Sequence, residues 1–314
     1  MRHRFLQPAE TGPLATLEHG PYALTVAPGF GARLVSFRHA GRDILRPTPE
    51  AVLAKPIVYG FAGFPLMPYS GPLFGPGFSF AGVSYPLART VREEPTATHG
   101  ESWIEPFRIL DRNTAALELE MIHEPMPGRF PFRYRGQVRY SLSDDGLAIL
   151  LRVTSLDHRP MPAGLGIHPY FPKPPGTRLC FASVGVWPPD GPEAVLLGCQ
   201  PLTEGLDFAE SPDVSAMVID RLFEGWDGRA EIIALDGHRT VIEADGALDK
   251  MQIYSAWDYP YVCVEPVSNT NDGFNRMAAG VPSHGVRVLE PNRSIEGTVK
   301  IYVGADADRF RARR

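Results

Sequence analysis

The chain of 314 residues contains only three cysteines, Cys180, Cys199 and Cys263, odd in number and widely scattered. A disulfide framework is therefore not expected, and reduced thiols in a cytoplasmic protein are. No basic block interleaves with aromatics, and the formal net charge is −5. Nucleic acid and anionic membranes are excluded as expected partners on that ground. Long apolar runs are missing too. The opening Met1-Arg2-His3-Arg4-Phe5-Leu6-Gln7-Pro8 lacks the apolar core of a signal peptide, and Gly and Pro interrupt the apolar stretch from 56 to 80 too often for a membrane-spanning helix. No nucleophile motif, metal-ligand spacing among the histidines or phosphate-binding loop competes for attention, so no metal and no cofactor are expected.

What the sequence does have is punctuation. Its 32 prolines and 31 glycines are spread along the chain and leave little room for long helices. Between them, apolar residues recur with period 2. Phe132, Tyr134, Val138, Tyr140 and Leu142 alternate with polar or small residues, and Leu147, Ile149, Leu151 and Val153 alternate on a return strand after a turn expected at Asp145-Gly146. The pattern repeats at Leu117, Leu119 and Met121, at Val299, Ile301 and Val303, and over 240–243, with a second turn expected at Asp245-Gly246. At 44% apolar and 21% charged residues the composition is globular. No repeat or composition shift marks a boundary. One all-β domain over 1–314 is expected, a sandwich or barrel, with the basic tail Arg309 to Arg314 frayed.

Two short segments carry proton-handling side chains in apolar surroundings. One is Gly164-Leu165-Gly166-Ile167-His168-Pro169-Tyr170-Phe171, and the other is Tyr261-Val262-Cys263-Val264-Glu265-Pro266. Burial raises the pKa of a carboxyl, and a neighbour can hold an imidazole charged near neutral pH, so His168 and Glu265 make a candidate acid–base pair. Each has a plainer alternative. His168 could be a hydrogen-bonded structural histidine before a proline, and Glu265 could sit in a salt bridge to a buried Arg.

Further segments fall in order beside these. Gly31-Ala32-Arg33-Leu34-Val35-Ser36-Phe37 precedes Phe64-Pro65-Leu66-Met67-Pro68-Tyr69-Ser70, then Thr98-His99-Gly100, Gly166-Ile167-His168-Pro169-Tyr170-Phe171, Asp220-Arg221-Leu222-Phe223 and Val264-Glu265-Pro266. Taken together from about Gly31 to Val303, the chain resembles the aldose 1-epimerases, or mutarotases. The resemblance implies a large antiparallel β-sandwich, the galactose mutarotase-like supersandwich. It implies cofactor-free interconversion of the α and β anomers of an aldose, with Glu265 as base toward the C1 hydroxyl and His168 as acid toward the ring oxygen. It also implies His99 and Asp220 as sugar-binding residues, with Tyr69, Trp103, Tyr170, Phe171 and Trp257 as candidate apolar faces for the ring. The partner would be a small-molecule sugar, a monosaccharide or its phosphate, bound by a monomer or homodimer.

One departure stands out. Many members of that family carry an Asn-Arg pair after the Pro-Tyr-Ser equivalent, whereas Ser70 here is followed by Gly71-Pro72-Leu73. The Arg fork that would grip sugar hydroxyls is missing there. The Asn-rich segment Ser268-Asn269-Thr270-Asn271-Asp272-Gly273-Phe274-Asn275 is expected to lie over the site and offer replacement hydrogen bonds. Two alternatives follow: a hexose-phosphate 1-epimerase, for which Arg33, Arg89, Arg108 and Arg276 are phosphate candidates, and a non-catalytic sugar-binding or regulatory protein.

Overall fold

Burial alternates along the strands that the period-2 pattern marks. In Tyr134–Ser143, and likewise along Gly146–Ser155, every second side chain enters the core. Each Val, Leu or Ile buried this way contributes about 1.5–3 kcal/mol, which fixes which face looks inward. The computed structural model describes residues 11–304. Met1–Pro8 and Arg309–Arg314, read above from sequence, lie outside the described residues.

The expected turns are displaced. Ser143 pairs with Gly146, so Asp144 and Asp145 form the two-residue turn, and Gly146 opens the return strand at a positive φ of 96°. Asp245 and Gly246 stay paired with Thr298 and Gly297, and the chain turns only after them. Only the first Asp-Gly marks a hairpin; after the second the chain crosses from the sheet holding Arg239–Gly246 to the sheet holding Lys250–Ser255.

Two large antiparallel sheets form the body. The first is ten-stranded and runs, edge to edge, through Ala15–His19, Tyr22–Ala27, Arg33–His39, Gly63–Leu66, Gly166–Pro172, Tyr261–Val267, Lys250–Ser255, Ile219–Glu224 and Gly185–Val186, with Arg42–Asp43 beside Arg33–His39. The second is eight-stranded and includes Ala116–His123, Tyr134–Ser143, Gly146–Ser155, Ser294–Val303 and Arg239–Gly246. The fold is the expected all-β sandwich. The α-helices of the described residues are single turns, Glu50–Ala54 and Gly273–Ala278, and no helix is long and apolar enough to cross a membrane.

The main core lies between the sheets and holds Ile167, Phe171, Ile253, Val262 and Val264 from the ten-stranded sheet against Val138, Leu151, Val299 and Ile301 from the other. A second apolar cluster covers the outer face of the ten-stranded sheet with Phe30, Phe61, Phe64, Trp103, Tyr170, Cys263 and Val267. Because neighbours in a strand alternate faces, Ile167, Val262 and Val264 turn to the main core while His168, Cys263 and Glu265 turn outward. The outer cluster is the floor on which the functional side chains stand.

Candidate active site

Strand register assembles the centre. Gly166 pairs with Val267 and Tyr170 with Cys263, which sets His168 directly across from Glu265. His168 also pairs with Phe64 on its other side, and Glu265 with Gln252 on the next strand. A row Phe64, His168, Glu265, Gln252 therefore crosses the sheet on one face. One step along lies a second row of Tyr170, Cys263, Tyr254 and Asp220.

His168 Nε2 lies 3.3 Å from Glu265 Oε1, and both residues are buried, 7% and 3% exposed. The imidazole is fixed by ring packing: it stacks on Tyr170 with centroids 4.7 Å apart and lies 4.8 Å from Phe64. Burial pushes the Glu265 carboxyl well above the ordinary carboxylate range, and Asp220 adds to the effect. Burial likewise pulls His168 well below the ordinary imidazole range, and His99, Arg46 and Arg33 push the same way. Both directions favour the proton of the pair on the carboxyl over the imidazole. This differs from the charged imidazole expected from sequence, because desolvation acts on both partners at once.

His99 comes from a different element. It follows the short strand Ala97–Thr98, which pairs with Pro72–Leu73. Its backbone is left-handed, with φ of 63°, and two contacts with one residue hold it there: its N–H donates to Gly71 O at 3.0 Å, and Gly71 N–H donates to its Nδ1 at 3.0 Å. An acceptor Nδ1 places the ring proton on Nε2, so His99 offers a neutral N–H donor. Burial, with Arg33 nearby, pushes its pKa down to about 3, which keeps it neutral. Its ring centroid is 5.7 Å from that of His168.

These side chains open into a cleft of about 430 Å³, which Tyr59, Glu94, Tyr170, Asp190, Asp220, Gln252, Tyr254, Tyr259, Tyr261 and Asn271 also line. A chain of hydrogen bonds runs along one wall. Asn271 Nδ2 donates to Asp190 Oδ2 at 2.7 Å and reaches Gln252 Oε1 at 3.5 Å, and Gln252 Nε2 donates to Asp220 Oδ1 at 2.6 Å. Burial raises Asp190 to about 6, with help from Asp220, and raises Asp220 itself.

The structure thus brings His168, Glu265, His99 and Asp220 to one cleft. Tyr69 is elsewhere: it is 1% exposed, in the main core against Phe274 and Phe130, and does not line the cleft. Three residues beyond Leu66, it falls with Met67 on the inward side. Among the other aromatics, Tyr170 reaches the cleft and Trp103 lies buried beneath it, edge-on to His99. Phe171 faces the main core and borders a separate cavity of about 480 Å³, and Trp257 stands exposed at the surface. The Asn-rich segment does reach the site, through Asn271. Its Asn269 is buried and instead braces Ser70, accepting from Ser70 N–H at 3.1 Å and donating to Ser70 O at 3.0 Å.

Sequence reasoning missed Asp190, Gln252, Tyr59 and Glu94. Asp190 sits in Pro188-Pro189-Asp190-Gly191, which reads as an ordinary turn. Gln252 could have been found as the residue one register step from Glu265. Cys263 was read as core, yet one donor atom each of His168, Cys263 and Glu265 lie within 4.8 Å of one another. An imidazole, a thiol and a carboxyl so placed could hold a thiophilic divalent ion. No spacing rule detects them, because the ligands come from two strands far apart in sequence.

The β-sandwich thus carries an apolar-floored, carboxylate-rich cleft with a buried His–Glu pair. The family description "Aldose 1-epimerase" matches residues 13–302, and the chain belongs to that family. It is 28% identical over 280 residues to YphB of Escherichia coli K12, an uncharacterized protein, covering 84% of this chain and 91% of YphB. A crystal structure from Escherichia coli K12, described provisionally as an aldose 1-epimerase, superposes with a TM-score of 0.82 at 25% identity, over 93% of this chain and 99% of that one. A galactose 1-epimerase from Lactobacillus acidophilus NCFM shares the fold, with a TM-score of 0.71 at 16% identity over 93% and 95% of the two chains.

Proposed function

We propose that the protein is an aldose 1-epimerase that interconverts the α and β anomers of a monosaccharide by acid–base ring opening. The observation that supports this most is the 3.3 Å contact between His168 and Glu265 at the floor of an open cleft. Ring opening moves two protons. The C1 hydroxyl gives its proton to the base as the carbonyl forms, the bond from C1 to the ring oxygen breaks, and the acid protonates that oxygen. Rotation about C1–C2 and the reverse transfers close the ring on the other face.

Glu265 acts as base and His168 as acid. Burial favours the proton on Glu265 in the free protein, so a shift along the short contact creates the working carboxylate and imidazolium as sugar hydroxyls replace the lost solvation. His99, through Nε2–H, donates to an oxygen near the reacting centre, and Asp220 accepts from sugar hydroxyls. Acid and base contributions of about 10²–10⁴ each suffice for a reaction that already proceeds slowly in water. The three free thiols, Cys180, Cys199 and Cys263, support a reducing, cytoplasmic setting.

The phosphate-sugar alternative finds no support in the cleft, where no Arg or Lys side chain is among the lining residues. Arg33 is wholly buried, Arg108 pairs with Glu120 at 2.6 Å on the other sheet, and neither Arg89 nor Arg276 lines the cleft. The non-catalytic alternative would fit a cleft filled by side chains, and this one is open. Polarimetry of freshly dissolved α-glucose and α-galactose tests the proposal: faster relaxation with purified protein supports it, and no acceleration with any aldose refutes it.

A further inference from the structure

The charge of the cleft is one-sided. Besides Glu265, where burial favours the proton, its lining residues include four carboxyl groups, those of Glu93, Glu94, Asp190 and Asp220, and no ammonium or guanidinium. Cations do stand around the walls; Arg221, which acts on both Asp190 and Asp220, donates to the Asp220 backbone carbonyl at 2.6 Å. Arg33 donates to Val58 O at 2.6 Å inside a cage of Phe30, Phe61, Phe64 and Trp103. Arg46 donates to the carbonyls of Tyr59 and Phe61 and covers Tyr170 and Tyr261 from one side. Arg276 donates to the carbonyls of Asn271 and Leu197 over the Trp187 ring. Lys250 is held by Glu224 at 3.0 Å and Asp249 at 3.3 Å. Turning any of these into the cleft would give up the partners named.

Carboxylates are acceptor-only when ionised, so this wall receives donors and repels anions. A bound phosphate or carboxylate would add negative charge with no guanidinium fork to meet it. A protonated amine does the opposite, bringing three donors to a site that offers acceptors and the tyrosine faces of Tyr59, Tyr254 and Tyr259. His168 Nδ1, buried and without a hydrogen-bond partner, leaves a further polar atom at the floor.

Resting on the epimerase reading above, we infer that the substrate class of this cleft is uncharged and amino-bearing aldoses, with phosphorylated and carboxylated sugars rejected, and that Asp190 and Asp220 set this choice. Asp190 is the sharper of the two. It reaches the wall from the loop after Gly185–Val186, and among the described residues the Asn271 amide is its one side-chain donor. Its second oxygen is free to take a ligand donor.

The test separates binding from turnover. Calorimetry at about pH 7, where an amine is protonated, compares three 1,5-anhydro sugars that lack the anomeric hydroxyl and cannot react: the neutral glucitol, its 2-amino derivative and its 6-phosphate. Exchange NMR follows anomer interconversion of glucose, glucosamine and glucose 6-phosphate in parallel. The amino sugar is expected to bind at least as tightly as the neutral one, and the phosphate at least about tenfold more weakly. Asp190→Asn, which can still accept from Asn271, is expected to lower the amino-to-neutral affinity ratio about tenfold. A phosphate that binds as well as the neutral sugar, or a ratio unmoved in both Asp190→Asn and Asp220→Asn, overturns the inference. If no aldose exchanges faster than in buffer, the epimerase reading falls, and the binding ratios still decide the charge selectivity.

Discussion

Asn271 occupies the space beside Gly71. A Cβ at position 71 would stand 1.9 Å from Asn271 Oδ1, and Gly71 itself has a φ of 74°, a conformation suited to glycine. The family's Asn-Arg pair falls at Gly71-Pro72, so glycine stands at the Asn position and a proline, which brings no donor, at the Arg position. The space beside Gly71 goes to the Asn271 amide. On the proposed reading, recognition here passes from a donor fork to acceptor carboxylates positioned by amides.

Gly71→Ala is therefore expected to destabilise the protein by about 2 kcal/mol, through both the left-handed backbone and the clash. Urea unfolding of Gly71→Ala, Asn271→Ala and the double variant measures it. The double variant should regain about 1 kcal/mol relative to additivity, because the clash is gone while the backbone strain stays. Strict additivity would show that the two residues do not share that space.

Glu265→Gln should lower kcat about 10²–10⁴-fold in anomer exchange. It should also stabilise the fold. A carboxyl whose folded pKa is raised contributes stability that is complete below its unfolded value and is lost as pH rises through the folded one. The wild-type protein thus carries a penalty at neutral pH that Gln lacks. A Tm gain of about 2 °C at pH 8, shrinking toward pH 4, is expected by calorimetry. Normal turnover in Glu265→Gln would show that Glu265 is not the base.

The pH dependence follows from one proton held by two groups. His168 is lowered and Glu265 raised, so the singly protonated pair survives to higher pH than an ordinary carboxyl would allow. The rate constant kcat/KM should show no separate inflection at the ordinary imidazole value near about pH 6.5, and its alkaline decline should fall above the ordinary carboxyl value of about 4.3. His99, with its pKa near 3, should add no inflection above about pH 5. A fall in activity centred at the ordinary histidine value would show that His168 titrates free of its burial.

His99 acts as a donor whose proton is placed by Gly71, and its replacement should tell. His99→Phe keeps the ring packing on Trp103 and Phe64 and removes the N–H. A loss of about 10–100-fold in kcat/KM is expected, with a smaller cost in stability of about 1 kcal/mol because the Gly71 N–H loses its acceptor. Equal losses in stability and activity would make His99 a packing residue.

Much of this was legible beforehand, for physical reasons that particular residues illustrate. Alternation at Tyr134, Val138 and Tyr140 exposes the inward face of a strand, because burial has period 2 there. His168 and Glu265 stood out because charged or titratable groups in apolar strands are costly unless used. Tyr69 misled: its neighbours in the motif concern the site, but its own side chain faces the main core, and only pairing geometry reveals that. Asp190 and Gln252 were invisible for the converse reason. Neither has unusual local surroundings in sequence, and each becomes informative only when strand register brings it beside Glu265 or Asn271. The protonation of the pair also lay beyond a sequence, since it depends on how completely two groups lose water together.

The register that pairs Gly166 with Val267 has a consequence for how such a protein can change. The separation of His168 and Glu265 is a property of the hydrogen-bonded ladder, repeated wherever two antiparallel strands meet, and no loop contributes to it. Of the residues the proposed reading sets at the sugar's periphery, Asp190, Asn271 and Tyr259 sit on connections, while Asp220 stands on the strand Ile219–Glu224. On that reading the reaction belongs to a rigid ruler, and a good part of recognition to an editable margin. Grafting the connections of one such protein onto the ladder of another should exchange the preferred sugar and leave the proton transfers in place.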